Sequence, residues 1–251
     1  MEKIGLKKYE YYEEINQGIK RHIPKNKMVL DIGGGFGALA EEFQKKNNIV
    51  WNIDSSKFAI QKSKRRNIKS YVADITKRAS LPKEILNQKF DIIVFADILE
   101  HVYDPFSVLK LFEDFLAENG KVFISVPNIA TWTVRLKLLL GNFTYADTGT
   151  LDRTHIRFFT EKTLRKMIRV AGYEIEEYDI TPNFIRPFVP LIKKSYKKRN
   201  ELRHNPRAII DSPAYIFYLK YLYPIERLAT KIWPSLFAFQ FVLILKRNDK
   251  K

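Results

Sequence analysis

Short apolar runs alternate with amphipathic segments through residues 1–182. The apolar runs predict the strands Met28–Ile32, Ile49–Ile53, Tyr71–Ala73, Phe90–Ala96, Lys121–Val126 and Tyr173–Ile180. Helical spacing and capping residues predict the helices Ala38–Lys46, Ser55 or Ser56 to about Arg65, Asp104-Pro105 to Asn119-Gly120, Ala130–Leu140, and Thr160 to Gly172. This alternation, with short links, predicts an α/β doubly wound fold whose parallel sheet is flanked by helices.

The pattern changes at residue 183. Residues 183–235 carry eleven lysines and arginines against three acidic residues, a net charge of +8, and they are rich in tyrosine, phenylalanine, proline and isoleucine. Phe237–Lys246 then returns to an apolar strand pattern. We therefore divide the chain into a main domain at 1–182, a basic, aromatic and helical insertion at 183–235, and a last strand with its tail at 236–251 that rejoins the sheet.

The composition is that of a globular protein with anionic partners. The 251 residues are 45% hydrophobic and 29% charged, with a formal net charge of +16. This excess favours nucleic acid, an acidic membrane face or a phosphorylated substrate. The absence of cysteine excludes disulfides, thiolate catalysis and cysteine-ligated zinc. No segment is typical of a signal peptide or a membrane span, so we expect a cytoplasmic protein and leave contact with a membrane surface open.

An aspartate closes or follows each of the first four predicted strands. Asp31, Asp54, Asp74 and Asp97 are separated by 23, 20 and 23 residues, about one strand–helix unit each. In a parallel sheet the ligand lies beyond the carboxyl ends of the strands, so these side chains are expected along one edge. Aspartate is common in loops and caps, but its recurrence at this period favours a binding site.

A glycine loop follows the first strand. Its sequence, VLDIGGGFG, lets the backbone turn tightly and approach a ligand closely. Gly33-x-Gly35-x-x-Ala38 fits the dinucleotide-binding pattern, and Asp54 lies 21 residues after Gly33. A nucleotide-binding oxidoreductase is therefore one interpretation of this loop.

Asp31 favours a different cofactor. A carboxylate two residues before the first glycine would repel the pyrophosphate of a dinucleotide. S-adenosylmethionine has no phosphate, and a carboxylate attracts its ammonium and sulfonium groups. Asp54 can accept hydrogen bonds from ribose hydroxyls, and Asp74 can accept one from the exocyclic amine of adenine.

Together these segments resemble the class I S-adenosylmethionine-dependent methyltransferases. The matching pieces, in order, are VLDIGGGFG, NIDSS, VADI, FDIIVFADILEHVYDP, NGKVFISVPN, DRTHIRFFT and LRKMIRVAGYEIEEYDI. The resemblance covers about residues 5–182 and the final strand. It implies a Rossmann-like, seven-stranded sheet whose last strand is antiparallel.

The resemblance also implies which residues hold the cofactor. It assigns the methionine part to Asp31 with the backbone at Gly33, Gly35 and Gly37, the ribose to Asp54, the adenine to Asp74 with Ile75, and the floor of the site to Asp97 and Ile98. The amphipathic segment Lys8–His22 has two interpretations, a cover over the cofactor or a helix that only packs on the core.

Two histidines are candidates for the chemistry. His155 and His101 lie in segments expected near the ligand edge, and a histidine there is suited to taking a proton from a hydroxyl acceptor. Asp97, Glu100, His101 and His155 also resemble the cluster with which ubiquinone-type O-methyltransferases and small-RNA 2′-O-methyltransferases hold a divalent cation. The alternative for His155 is a hydrogen bond that fixes its loop.

A hydroxyl is the favoured methyl acceptor, and an amine is the second choice. DRTHIRFFT after ISVPN resembles methyltransferases of polysaccharide and lipid-linked glycan pathways, so we expect a sugar, a glycan-lipid or another small molecule as substrate. Residues 183–235 suit an acidic membrane surface or RNA as well as a basic cap over the pocket. RNA 2′-O-methylation and a non-catalytic basic adaptor are the alternatives.

Overall fold

The computed structural model describes residues 15–183 and 213–248. The strands are β1 (Met28–Ile32), β2 (Ile49–Asp54), β3 (Lys69–Val72), β4 (Phe90–Ala96), β5 (Leu116–Pro127), β6 (Tyr173–Pro182) and β7 (Ala238–Arg247). The helices are α1 (Gln17–Arg21), α2 (Ala38–Gln44), α3 (Lys57–Lys64), α4 (Lys83–Leu86), α5 (Pro105–Glu113), α6 (Trp132–Leu139), α7 (Glu161–Val170), α8 (Pro213–Phe217), α9 (Tyr223–Thr230) and α10 (Pro234–Phe237). Short 3₁₀ segments lie at Arg78–Ser80 and Leu99–His101, and a π-helical turn at Tyr218–Leu222 joins α8 to α9.

All seven strands form one sheet in the order β3-β2-β1-β4-β5-β7-β6. The pairs from β3 to β5 are parallel, and β7 runs antiparallel to both of its neighbours, β5 and β6. The predicted α/β doubly wound sheet with an antiparallel last strand is confirmed. The last strand also rejoins the main sheet, as its apolar pattern indicates.

Apolar side chains cover both faces of the sheet. On β1, Leu30 belongs to one buried cluster and its neighbour Val29 to the other. Phe95 of β4 packs edge-on against Phe112 of α5 on the first face, and Phe43 of α2 belongs to the cluster on the second. Burial on both faces explains why the central strands are continuous apolar runs rather than alternating ones.

The boundary between α5 and β5 differs from the prediction that the helix continues to Asn119-Gly120. The helix ends at Glu113 and the strand begins at Leu116. The amide of Phe90 donates to the carbonyl of Phe115 at 2.8 Å, and Leu116 pairs with Phe90 before a register shift. Burial of two apolar side chains and pairing with β4 outweigh the local helical pattern.

Other boundaries follow local chemistry. The Ser56 side chain accepts from the amide of Ala59 and caps α3, which decides between the two predicted serines. Thr160 and Thr163 form a reciprocal capping box at the start of α7, as the predicted start at Thr160 requires. The third strand begins at Lys69, two residues earlier than predicted.

Parts of the insertion and the amino terminus lie outside the described residues. Within 183–235, residues 184–212 are not described, whereas 213–237 are largely helical and α9 packs against β6. Of Lys8–His22, the structure describes residues from 15 onward, where α1 forms. No helix in the described ranges is long and apolar enough to cross a membrane.

Candidate active site

The parallel strands bring the predicted acids to one edge of the sheet. Asp31 lies near the carboxyl end of β1, Asp54 ends β2, and Asp97 directly follows β4. Asp74 lies two residues beyond the end of β3. Because β2, β1 and β4 are neighbours, the first three are grouped around the loop that leaves β1.

The glycine loop lies on top of this edge. Gly33, Gly35 and Gly37 have φ values of +69°, +52° and +82°, a region that side chains disfavour. The amide of Gly33 donates to the carbonyl of Ile53 at 2.8 Å. A Cβ at Gly33 would lie 2.6 Å from the Ile98 side chain, so the loop rests on the residue predicted to form the floor. The positive φ and the close contact with Ile98 together require glycine at position 33.

Asp31 is a buried carboxylate without a hydrogen-bond donor among the described residues. The residue is fully buried, and neither carboxylate oxygen has a hydrogen-bond partner in the described part of the chain. Burial, and secondly the negative charge of Asp54, raises the pKa of Asp31 to about 7. A cationic group beside these oxygens would satisfy them and favour the ionised form.

Asp54 and Asp74 are already hydrogen-bonded in different ways. The Asp54 carboxylate accepts from the amides of Gly35 at 3.1 Å and Ser56 at 2.8 Å, which joins the glycine loop to α3. The more exposed Asp74 carboxylate accepts from the amide and hydroxyl of Thr76 and pairs with Lys77, contacts that lower its pKa. A contact between Asp74 and adenine stays a prediction, as does that of its buried neighbour Ile75.

The Asp97 carboxylate accepts hydrogen bonds from one residue near each end of the chain. Its φ of +53° is unusual for a non-glycine residue, and its amide donates to the Ser125 carbonyl at 3.0 Å. Its Oδ2 accepts from Gln240 Nε2 at 2.8 Å and from Asn16 Nδ2 at 3.4 Å. The sequence contains no motif that marks Gln240 or Asn16, because both reach the site only through the return of β7 and the position of α1.

A second cluster contains Glu100, His101 and His155. One ligand atom from each side chain lies within 4.8 Å of the others. Glu100 is 1% exposed, and neither of its oxygens has a hydrogen-bond partner among the described residues. Asp97, the fourth predicted metal ligand, is not part of this group, since its Oδ2 is turned toward Gln240.

Backbone carbonyls orient both imidazoles. His101 Nδ1 lies 3.2 Å from the Thr154 carbonyl, and His155 Nδ1 lies 3.2 Å from the Thr150 carbonyl. A carbonyl only accepts, so each Nδ1 donates and each Nε2 keeps its lone pair. His155 Nε2 lies 3.9 Å from Glu100 Oε1. This is the arrangement in which imidazoles ligate metals or accept protons.

Burial sets the charge of the same cluster. It lowers the pKa of both histidines, with the neighbouring His155 as a second cause for His101, so both rings are neutral at pH 7. Burial raises the pKa of Glu100 well above its usual value, and the charges of Asp97 and Asp152 add to this. A bound cation would reverse the shift at Glu100.

Comparison with known proteins assigns the chain to a family. A family model described as a methyltransferase domain matches residues 8–178. The chain belongs to this methyltransferase family. The match contains the glycine loop, Asp31, Asp54 and the whole Glu100 cluster. The protein is thus a class I S-adenosylmethionine-dependent methyltransferase, as its motifs indicate.

Curated relatives share the name ubiquinone biosynthesis O-methyltransferase. The relative from Pasteurella multocida is 32% identical over 113 residues, which cover 41% of this chain and 47% of the relative. The relative from Pseudomonas entomophila is 27% identical over 182 residues, 71% of this chain and 75% of the relative. The match spans about half the length of several of these curated relatives.

Solved structures of the same fold include an S-adenosylmethionine-dependent methyltransferase from Archaeoglobus fulgidus. It has a TM-score of 0.57, 16% identity, and coverage of 91% of this chain and 93% of its own. At this identity the likeness shows the fold alone.

The residues at the edge fit S-adenosylmethionine, which supplies this family with an activated methyl group. Asp31 offers two buried, unpartnered carboxylate oxygens to a cationic ligand. The Gly33 and Gly37 positions have no room for a Cβ, which would lie 2.6 Å and 2.5 Å from neighbouring side chains. Asp54 is placed beside the loop, where it links Gly35 to the start of α3. These residues would hold the methionine and ribose portions.

Proposed function

We propose that this methyltransferase transfers its methyl group to a hydroxyl oxygen of an acceptor held by a divalent cation. The observation that carries the proposal is the Glu100, His101 and His155 cluster, which lies at the same edge as the cofactor residues. Carboxylate and imidazole ligands suit magnesium, manganese or zinc. Glu100 offers unpartnered oxygens and His101 an Nε2 lone pair as ligands, and a ring nitrogen of His155 lies within 4.8 Å of both.

The cluster also contains a group that can move the hydroxyl proton. A divalent cation held there would bind neighbouring hydroxyls and lower their pKa. His155 would act here as the base and not as a third ligand, because its burial lowers its pKa, the ring is neutral, and its Nε2 can accept the proton. The tautomer is fixed by the Thr150 carbonyl, so the ring presents the same nitrogen throughout. His101, held by Thr154, is oriented in the same way.

The acceptor class rests on resemblance. The curated relatives are named O-methyltransferases, which favours oxygen over nitrogen as the methyl acceptor. The segments ISVPN and DRTHIRFFT further favour a sugar, a glycan-lipid or another small molecule with neighbouring hydroxyls. RNA 2′-O-methylation is the second candidate, since the chain carries a net charge of +16.

Calorimetric titration of the metal-free protein with Mn²⁺ tests the cation site independently of turnover. We expect one binding site in the wild type and a loss of affinity of at least tenfold in Glu100→Gln, which keeps the size of the side chain. Glu84→Gln, in the first turn of α4, is the control and should bind as the wild type does. Equal Mn²⁺ binding by all three proteins would refute the cation site.

Transfer of labelled methyl groups to three acceptor classes tests the substrate. Catechols, sugars with neighbouring hydroxyls and short RNAs are offered with S-adenosylmethionine, with and without exhaustive chelation. Labelling of a catechol or sugar that stops on chelation and returns with Mn²⁺ supports the proposal. Labelling of RNA alone would favour the second candidate, and full activity after chelation would contradict a role for the cation.

A further inference from the structure

The described part of the insertion turns an apolar stripe toward solvent. Ile225 and Leu228 share one side of α9, and Tyr221 in the π-helical turn before it and Ile232 in the turn after it continue the spacing of three to four residues. Ile225, Leu228 and Ile232 are 68%, 70% and 87% exposed. Apolar side chains exposed next to one another, unlike single scattered ones, are typical of an interaction surface.

The opposite side of α9 is fixed to the sheet. Arg227 donates to Asp179 Oδ1 of β6 at 2.6 Å and 3.0 Å, and Arg21 donates to the Tyr223 hydroxyl at 2.9 Å. The Tyr218 hydroxyl donates to Glu226 at 2.7 Å. Because the polar side of the helix is bonded to the protein, its apolar side cannot rotate inward without breaking these contacts.

A second exposed apolar stretch lies in α6 and the residues that follow it. Residues 135–148 are all exposed, and they include Leu139 at 83% and Leu140 at 74%. The start of α6 is joined to α10, because the Thr131 hydroxyl donates to the Leu236 carbonyl at 3.3 Å and Asn128 Nδ2 donates to the Ser235 carbonyl at 3.1 Å. We call α6 with residues 140–146, together with residues 216–233, the apolar surface.

The charges on the apolar surface have one sign. Residues 130–146 contain no acidic residue, and in 213–237 the single one, Glu226, is buried against Tyr218. The exposed cations there are Arg135, Lys137, Lys220 and Lys231. The complementary partner is anionic and apolar at once.

We propose that the apolar surface docks on a membrane that contains anionic lipids. Apolar side chains at the headgroup boundary and flanking lysines and arginines are the two signals that together give stable attachment of a peripheral protein. The surface is also close to the candidate site, since residues 149–159, which include His155, follow the α6 segment directly, and Phe158 contacts Phe143. Docking would therefore bring the segment that contains His155 near the lipid surface.

Sedimentation of the full chain with vesicles tests the proposal. We expect binding to vesicles of equal parts phosphatidylcholine and phosphatidylglycerol, at least tenfold weaker binding to phosphatidylcholine alone, and a decrease with added salt. Leu228→Asp and Ile232→Asp should each weaken binding about tenfold or more, because each removes apolar burial and adds repulsion. Ile49→Asp, at a position 64% exposed at the start of β2, is the matched control and should bind as the wild type does.

A second readout does not depend on those variants. Trp233 is 54% exposed on the same surface, so brominated phosphatidylglycerol vesicles should quench the fluorescence of the wild type and quench Trp233→Phe less. Equal vesicle binding by Leu228→Asp, Ile232→Asp and the wild type would overturn the proposal. The proposal would also be overturned if the wild type bound no vesicles. A wild type that binds no vesicles but forms a dimer, which Leu228→Asp and Ile232→Asp abolish, would show that the surface binds a second copy of the chain instead.

Discussion

Replacing Asp31 by asparagine should stabilise the cofactor-free protein and weaken the binding of the cofactor. The folded-state pKa of about 7 lies above the ordinary value of 3.8, so the folded state binds the proton more tightly than the unfolded state does. Stability therefore falls as the pH rises through this range, and the penalty is complete above pH 7. About three pKa units correspond to an upper limit of about 4 kcal/mol.

The asparagine amide is itself buried, so we expect about half of this gain, about 2 kcal/mol at pH 8. For a domain of this size that is an increase in the unfolding midpoint of about 4–8 °C. The gain should shrink as the pH is lowered from 8 to 5, since Asp31 becomes protonated in the wild type. Thermal unfolding of both proteins across this range, without ligand, measures the effect.

Binding of S-adenosylhomocysteine should change in the opposite direction from stability. Loss of a charged contact should weaken its affinity about tenfold to a hundredfold in Asp31→Asn at pH 8, by calorimetric titration. The control is Asp179→Asn, a buried carboxylate whose pKa is lowered despite its burial, mainly by His22 and Arg21. Its stability contribution is present above about pH 4 and lost as the pH falls, so this variant should lose about 3 kcal/mol at pH 8. If Asp31→Asn is destabilised in the same way as Asp179→Asn, the reasoning about an uncompensated charge is wrong.

Two further predictions concern the backbone. Gly33→Ala should lower the affinity for S-adenosylhomocysteine at least about tenfold, because the new Cβ would lie 2.6 Å from Ile98 and φ at this position is +69°. Gly141→Ala has a similar φ of +70° with no atom within 4 Å of the new Cβ, so it should cost about 1 kcal/mol of stability and leave binding unchanged. Thr160→Ala breaks the capping box with Thr163 and should lower the unfolding midpoint by about 2–4 °C with normal cofactor binding. Thermal unfolding and calorimetric titration check each one, and normal binding by Gly33→Ala would contradict the role of the loop.

Local signals were sufficient for much of the fold. The central strands were predictable because both of their faces are buried, which makes them continuous apolar runs. Helix starts were predictable where a capping side chain is present, as at Ser56, Asp104 and Thr160. The spacing of the aspartates also predicted that Asp31 and Asp54 would lie at one edge, since parallel strands end there together.

Features that depend on distant partners were not predictable in this way. The early start of β5 is decided by pairing of Leu116 with Phe90, which a helical pattern in the sequence does not contain. The contact from Gln240 to Asp97 joins residues 143 positions apart. The sequence pattern assigned four ligands, whereas the structure groups Glu100, His101 and His155, and Asp97 Oδ2 accepts from Gln240.

The buried carboxylates fall into two groups, those paired with cations of the protein and those without a hydrogen-bond partner. Asp179 is satisfied by Arg21 and Arg227, and Glu42 pairs with Lys20 at 2.7 Å. Asp31 and Glu100 instead keep both oxygens without hydrogen-bond partners among the described residues, and their burial raises the pKa of each. Such groups destabilise a fold unless a ligand satisfies them. We predict that S-adenosylmethionine satisfies Asp31 and propose that a metal ion satisfies Glu100, so cationic ligands would offset the local loss of stability at both positions.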